Sequence, residues 1–506
     1  MRSDLAISGA SWWLCTGPAR LRQRRWLSPP RVGEKSIGIS SARAMLKWGY
    51  PMRIVFVSHF YPPKYNAGTE NYTAGLAAAF RAEGHEVQVV CAEDWESGRA
   101  YWNGVTHDTR DGVSVHRIHL NWTQAHDPNR VLYLSPLVDT WFDQFLAQTR
   151  PDIVHVMSAY SLGIGVLRSV RRAGIPLLLT LMDFWFLCPS IQLLRSDGHL
   201  CDGKTTAWEC QACLLERSGW FRQFNHALPQ AAVQAPLFGT LAHLPLITRR
   251  RGLRGMLLNM QERKRLMAEV LDLPDKVVSH SAFLRDLFAQ HTGRAIDVLP
   301  LGHDLSWRGA GVTKTPSPVL RFGYIGQLHP TKGVHLLVEA FHHARLGEAA
   351  RLDIWGDTSR DPAYVQSLRR LIQNHPAIQL RGRFERPTLA AVLAEIDALV
   401  VPSIWYENAP LVIHEAFAAK TPVVTSKLGG MAEAVRHEVD GLLFAHNDVT
   451  ALAQALRRLC RQPGLLGQLE AGIPAVKTVD QEVGELTAIY EELVSRRAAV
   501  ALPPQA

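Results

Sequence analysis

The stretch VPSIWYENAPLVIHEAFAAKTPVVTSKLGG, from Val401 to Gly430, constrains this chain more than any other. It begins at the end of an apolar run, Ala398 to Val401, of the kind that forms a strand buried on both faces. A loop carrying Glu407 follows, then a helix starting near Pro410, then a second strand at Pro422 to Thr425. Proline in a first helical turn loses no hydrogen bond, because that N–H has no intrahelical partner anyway. Asn408, just before it, is a good capping residue. The free N–H groups of such a helix start, together with its dipole, favour a phosphate group. Glu407 and Glu415 stand eight residues apart around this turn. Alone, that spacing would describe two solvated carboxylates flanking a helix.

The same alternation of short apolar runs and helical patterns extends over most of the chain. RIVFVS at 53–58 suits a central parallel strand. A loop with Pro62, Pro63 and Gly68 leads to a helix over Thr69 to Ala82, stopped by Gly84. Further strands are expected at Val87–Cys91, Val113–His119, Ile153–Val156, Pro176–Leu181, Lys276–Ser281 and Ile296–Leu299. A Gly/Thr/Ser/Pro linker at 309–318 separates these from a second series, in VLRFGYIG, RLDIWGD, AIQLRGRF and DALVVPS. This is the pattern of doubly wound α/β domains.

The pair Glu407 and Glu415, set between PS and GG within PSIWYENAPLVIHEAF and SKLGGMAEAV, resembles the donor-site signature of family 4 of the glycosyltransferases. That family has the GT-B fold, two Rossmann-like domains facing across a cleft, and transfers sugars from nucleotide donors with retention. The resemblance implies that Glu407 contacts the donor sugar and that Glu415 holds the ribose hydroxyls. It implies donor contacts for Asn408, Ala409, Pro410 and Leu411, and close backbone approach at Gly429 and Gly430. GYIGQLHPTKG resembles a second motif, usually with Arg and Lys on the donor diphosphate. Lys332 and Gly333 match it after the turn at Gly326, whereas Gln327 stands at the Arg position and brings no charge. The family places the nucleotide base near the GRF turn, hence near Arg383; an ordinary turn is the equal alternative.

The resemblance implies an N-terminal acceptor-side domain over 52–308, with a cysteine-containing helical insertion at about 186–272. A donor domain follows over 319–475, and from 476 to 506 come a helix returning to the first domain and a tail. YPPKYNAGTEN resembles the family's acceptor-side opening, though Ala67 replaces the first of two usual glycines and only Gly68 remains. Where many members carry a His proposed to act at the acceptor hydroxyl, this chain has Met182, which takes no proton. Asp183 beside it is a polar substitute able to orient a hydroxyl, or a cap residue. His59 is a second candidate, although a lone His in such a loop is more often structural.

Four of the seven cysteines, Cys188, Cys201, Cys210 and Cys213, fall in the segment that begins with DFWFLCP. The C-x2-C pair is a common half of a structural zinc site. Buried free thiols are the alternative, as are disulfides if the chain were exported. The basic runs TRRRGLRG and MQERKRLM read as a solvated helical face, or one resting on anionic lipid headgroups.

The net charge of +9 suggests nucleic acid or membrane, but residues 1–51 alone carry nine Lys/Arg against two acids. The other 455 residues stand at only +2, which argues against a nucleic-acid partner. The first 51 residues lack a basic lead before their weak apolar run, unlike a signal peptide. They read as an extension or a misassigned start. The expected protein is thus a glycosyltransferase needing no catalytic metal, since no DxD-like acidic site takes part. It would move sugar from a nucleotide-sugar donor to a glycan or lipid-linked acceptor in envelope polysaccharide synthesis, at the cytoplasmic side of a membrane. The rivals are a GT-B epimerase and a catalytically weak nucleotide-sugar-binding protein, the latter kept in play by Met182 and Gln327.

Overall fold

The computed structural model describes residues 51–94, 97–216, 253–309, 311–373 and 375–501. The basic extension 1–50 and most of the run TRRRGLRG lie outside the described residues. Two sheets carry the fold. The first comprises β1 (Arg53–Ser58), β2 (Glu86–Asp94), β3 (Trp102–Arg110), β4 (Val113–Leu120), β5 (Ile153–Val156), β6 (Leu177–Leu181), β7 (Lys276–Ser279) and β8 (Asp297–Val298). Its order is β3-β4-β2-β1-β5-β6-β7-β8, parallel throughout except for β3 against β4.

The second sheet holds β9 (Leu320–Ile325), β10 (Ala350–Trp355), β11 (Ile378–Gly382), β12 (Ala398–Val401), β13 (Val423–Ser426) and β14 (Gly441–Phe444). Its order is β11-β10-β9-β12-β13-β14, all parallel. In both sheets the chain reverses direction beside the first strand, β1 or β9, which creates the crevice where open α/β sheets bind ligands.

The central strands are continuous apolar runs because helices cover both faces. In β1, Val55 and Val57 enter one core with Phe142, Leu146 and Leu167. Ile54 and Phe56 enter another with Leu76, Phe80 and Tyr490. Burying each such side chain contributes about 1.5–3 kcal/mol. β3 is a strand, like β14, that sequence reading passed over. Its residues WNGVTHDTR are largely solvated on an antiparallel edge, so they carry no apolar run to detect.

The chain end, helix Val479–Ala501, returns to the first sheet and buries Val483, Leu486, Tyr490 and Leu493 there. Tyr490 Oη meets His155 Nδ1 at 2.7 Å. Glu482 accepts from Tyr72 Oη and from the Gly302 N–H, both at 2.6 Å. The connecting segment is fastened to the second domain by Lys314, whose ammonium donates to the carbonyls of Leu393 and Ile396.

Candidate active site

On the second domain, β12 delivers the chain into the loop that holds Glu407. The Glu407 Oε1 atom accepts from Lys332 Nζ at 2.6 Å and from Ser403 Oγ and Trp405 Nε1, both at 2.8 Å. Lys332 ends the short 3-10 turn Pro330–Lys332 and lies over the Trp405 ring, 5.0 Å from its centroid. Gly333 makes this approach feasible. Its φ is 69°, and a Cβ there would lie 2.0 Å from the Pro402 carbonyl oxygen, so a side chain would push the two loops apart. Gly326 and Gln327 follow β9, where Tyr324 Oη donates to the Gln327 carbonyl at 2.7 Å. The Gln327 side chain is exposed.

Helix Leu411–Ala418 follows Pro410, whose φ of −66° and ψ of 112° place it just outside the helix. Glu415, 6% exposed, is ion-paired with Arg386. Arg386 comes from the turn after β11, a residue that sequence reading did not select. Its signal lay only in its position, three residues beyond Arg383. Arg383 itself is exposed, with its charge felt at Asp357.

One expectation needs correction here. Asn408 does not cap the helix. Its Oδ1 accepts from Ser281 Oγ at 2.7 Å, and its Nδ2 donates to the carbonyls of Leu181 and Met182, each at 3.2 Å. These partners belong to the first domain, so Asn408 ties the two domains together. Gly430 packs on the same loop. Its N–H donates to the Glu407 carbonyl at 2.9 Å, and a Cβ on it would fall 1.5 Å from the Asn408 oxygen. Its lack of a side chain lets it pack on the Glu407–Asn408 backbone. Gly429, with φ 52°, starts the next turn against the same backbone. Glu433 beyond them accepts from the N–H groups of Ala282 and Phe283. It thereby serves a helix start of the first domain.

Across the cleft, His59 Nε2 lies 3.3 Å from Glu70 Oε1. Burial works against the imidazolium, but the Glu70 hydrogen bond and charge, aided by Asp183, outweigh it and raise the His59 pKa. Burial likewise works against the Glu70 carboxylate, and the His59 contact overcomes it, leaving that pKa lowered. Asp183 is raised, chiefly by burial, and its Oδ1 accepts the Trp185 N–H at 2.8 Å. One oxygen of Asp183 therefore serves a local turn. Met182 packs its side chain against the first-domain core. Gly68 is exposed and faces Leu411 of helix Leu411–Ala418, 3.9 Å from a would-be Cβ.

The four cysteines do not form the expected zinc set. Among the described residues no three of His, Cys, Asp and Glu gather so as to hold a metal ion. Cys210 and Cys213 share helix Ala207–Leu215, and all four are free thiols. Cys210 Sγ is engaged by Thr205 Oγ1 at 3.0 Å, while Cys201 Sγ accepts the Gly203 N–H. The buried guanidinium of Arg263, its pKa pushed down to about 10 by desolvation, sits within the field of Cys188 and Cys210. A fixed cation there opposes a metal cation. Among the described residues no helix is long and apolar enough to cross a membrane.

Residues 67–302 match the family model described as "Glycosyl transferase 4-like domain", and residues 320–462 match "Glycosyl transferases group 1". The chain carries the two domains of a GT-B glycosyltransferase. Sucrose-phosphate synthase from Thermosynechococcus elongatus superposes on this GT-B chain with a TM-score of 0.60 at 17% identity, covering 88% of this chain and all of that one. An Anabaena protein, HepE, solved with UDP and glucose, gives 0.57 at 17%, covering 87% and 99%. These likenesses establish the fold. The glycogen synthase of Mycobacterium tuberculosis is 32% identical over 196 residues, 37% of this chain. That match spans 46% of the relative, less than half its length.

Proposed function

We propose that this GT-B chain transfers a sugar from a nucleotide-sugar donor, with retention, to a hydroxyl of a glycan or lipid-linked acceptor in cell-envelope or exopolysaccharide synthesis. The observation that carries the reading is the pairing of both signature carboxylates with cations, Lys332 with Glu407 and Arg386 with Glu415. The pairs are held at the mouth of one parallel sheet, where such sheets bind nucleotides. A diphosphate arriving there meets a lysine already placed by its own turn and by the Trp405–Glu407 loop. Glu407, with Oε1 occupied, is oriented to receive a sugar hydroxyl on its other oxygen. Glu415 is oriented to receive the ribose hydroxyls.

In the reaction the bond from sugar C1 to the diphosphate oxygen breaks, and a bond from the acceptor oxygen to C1 forms on the same face. The acceptor hydroxyl proton leaves with the departing diphosphate. Lys332 and the first-turn amides of helix Leu411–Ala418 stabilise the charge on that leaving group. Fixed donors aimed at developing charge usually lower a barrier more than any other single device. Asp183 orients the acceptor hydroxyl, a task that Met182 has no group to perform. On this reading the diphosphate charge is met by Lys332, and turnover persists in EDTA. Arg383 lies near the base, and Gly68, Gly326, Gln327 and Gly333 shape the phosphate path.

The test is calorimetric titration of the chain with UDP, GDP, ADP and CMP, alongside Glu415→Ala. One nucleotide should bind, and the substitution should abolish or strongly weaken that binding. A folded protein that binds none of them would favour the weak-binding-protein alternative.

A further inference from the structure

The mouth of the first sheet holds a polar group that donor binding leaves unused. His59 follows β1, Tyr160 follows β5 and Asp183 follows β6, so three adjacent strands bring them to one edge. Glu70 enters from the first turn of helix Gly68–Ala82 and pairs with His59. Each partner keeps one polar atom unmatched. His59 Nδ1 and Glu70 Oε2 are both inaccessible to solvent and have no hydrogen-bond partner. Glu70 is only 4% exposed. Leaving a buried polar atom unpaired is costly, so two on one ion pair call for a ligand or an ordered water.

The place is the domain contact itself. The backbone carbonyls of Leu181 and Met182, next to Asp183, accept from Asn408 of the donor loop. The charge of Arg360, from the second domain, reaches Glu70. Beside His59 (ring centroids 5.2 Å apart), Phe60 stacks on Tyr65 at 4.0 Å, giving a flat aromatic surface.

The two unmatched atoms select a ligand class. With Nε2–H turned to Glu70, Nδ1 accepts in the neutral imidazole and donates in the imidazolium, while Glu70 Oε2 is an acceptor, so the ligand must be able to do both. A phosphate, which offers acceptors only, is repelled by Glu70 and Asp183. A metal cation would need more ligands than this pair, and among the described residues no three of His, Cys, Asp and Glu gather to hold one. A hydroxyl both donates and accepts, and a sugar ring adds an apolar face suited to an aromatic surface.

We propose that His59 and Glu70 form a hydroxyl-binding subsite for a sugar ring of the acceptor, with Phe60 and Tyr65 as its aromatic floor. The assignment rests on the glycosyltransferase reading above, but its test is separable. The full chain is labelled with 13C-histidine, and the His59 resonance is identified by its loss in His59→Gln. The four nucleotides are added first, then the methyl glycosides of glucose, galactose, mannose and N-acetylglucosamine. A glycoside should shift the His59 resonance where nucleotide does not. Its affinity should fall by about tenfold or more in Glu70→Gln, as for loss of a hydrogen bond to a charged group. Nucleotide affinity should stay within about twofold in a variant with an unchanged melting temperature; if Glu70→Gln melts early, His59→Gln supplies the same comparison. A resonance that no glycoside moves would mean an ordered water only and overturn the subsite. A resonance moved by nucleotide alone would assign the pair to the donor and overturn it too. Glycoside binding without any nucleotide binding would sink the donor reading and leave the subsite standing.

Discussion

The two sheet edges that face the cleft solve opposite problems. The second domain's edge is a set of closed ion pairs, Lys332 with Glu407 and Arg386 with Glu415, each charge matched before a ligand arrives. The first domain's edge holds a third pair, His59 with Glu70, but leaves two buried polar atoms open. Matched pairs give a rigid, charged cradle suited to a polyanionic donor. Open polar atoms next to stacked aromatic rings suit a neutral, hydroxyl-rich ligand. The difference lies in what remains unsatisfied and not in the kinds of residue, since both edges use a carboxylate and a cation.

The largest effect that would test this contrast is at Lys332. Replacing it with Ala should lower turnover of the donor by about 10²–10³-fold, the usual loss when one fixed stabiliser of developing negative charge is removed. Steady-state kinetics with the nucleotide sugar that binds would show it, and an effect below about tenfold would mean that the cradle is not catalytic. Next in size is Glu415→Ala, expected to weaken nucleotide binding by about 10–100-fold through lost hydrogen bonds to a charged group. Arg386 is half exposed and stays solvated when its partner goes, so the melting temperature should hardly move.

A smaller effect is expected at the domain contact. Asn408→Ala removes bonds to Leu181, Met182 and Ser281, each contributing about 0.5–1.5 kcal/mol. It should raise acceptor and donor KM together by several-fold and enlarge the radius of gyration in small-angle scattering. A change in kcat alone would contradict a tethering role.

The smallest effect concerns pH. Burial raises the Glu482 pKa to about 7, against the lowering influence of Tyr72 and Gly302. The folded state therefore holds a proton that the unfolded chain has lost above its ordinary carboxylate pKa of about 4.3. Stability should fall as pH rises between those two values. Thermal melts across that window should slope downward, and Glu482→Gln should flatten the slope; an unchanged slope would clear Glu482 of responsibility.

Much of the second domain was legible because its strands are apolar runs and its motifs are local. Glu407, Lys332 and Glu415 are found within short segments whose residue types declare a helix start or a turn. The role of Asn408 was misread for the converse reason. A residue before a helix looks like a cap, and only the first domain's carbonyls, more than 220 positions away in sequence, show where its amide goes. The cysteines misled similarly. Their spacing suggests a shared ion, but cations already sit among them, Arg263 from a distant helix and Arg195 beside Cys201.

By itself the sequence determined two parallel α/β units, the linker between them and the chain segments that carry Lys332, Glu407 and Glu415. Periodicity, turn residues and compact motifs are local properties, and local properties can be read in one dimension. Tertiary structure alone decided the partners. It set Arg386 against Glu415, Glu70 against His59, Asn408 against another domain, and it left two atoms of the His59–Glu70 pair unmatched. Electrostatics and hydrogen bonding depend on distance in space, and distance between residues far apart in the chain exists only once the chain has folded.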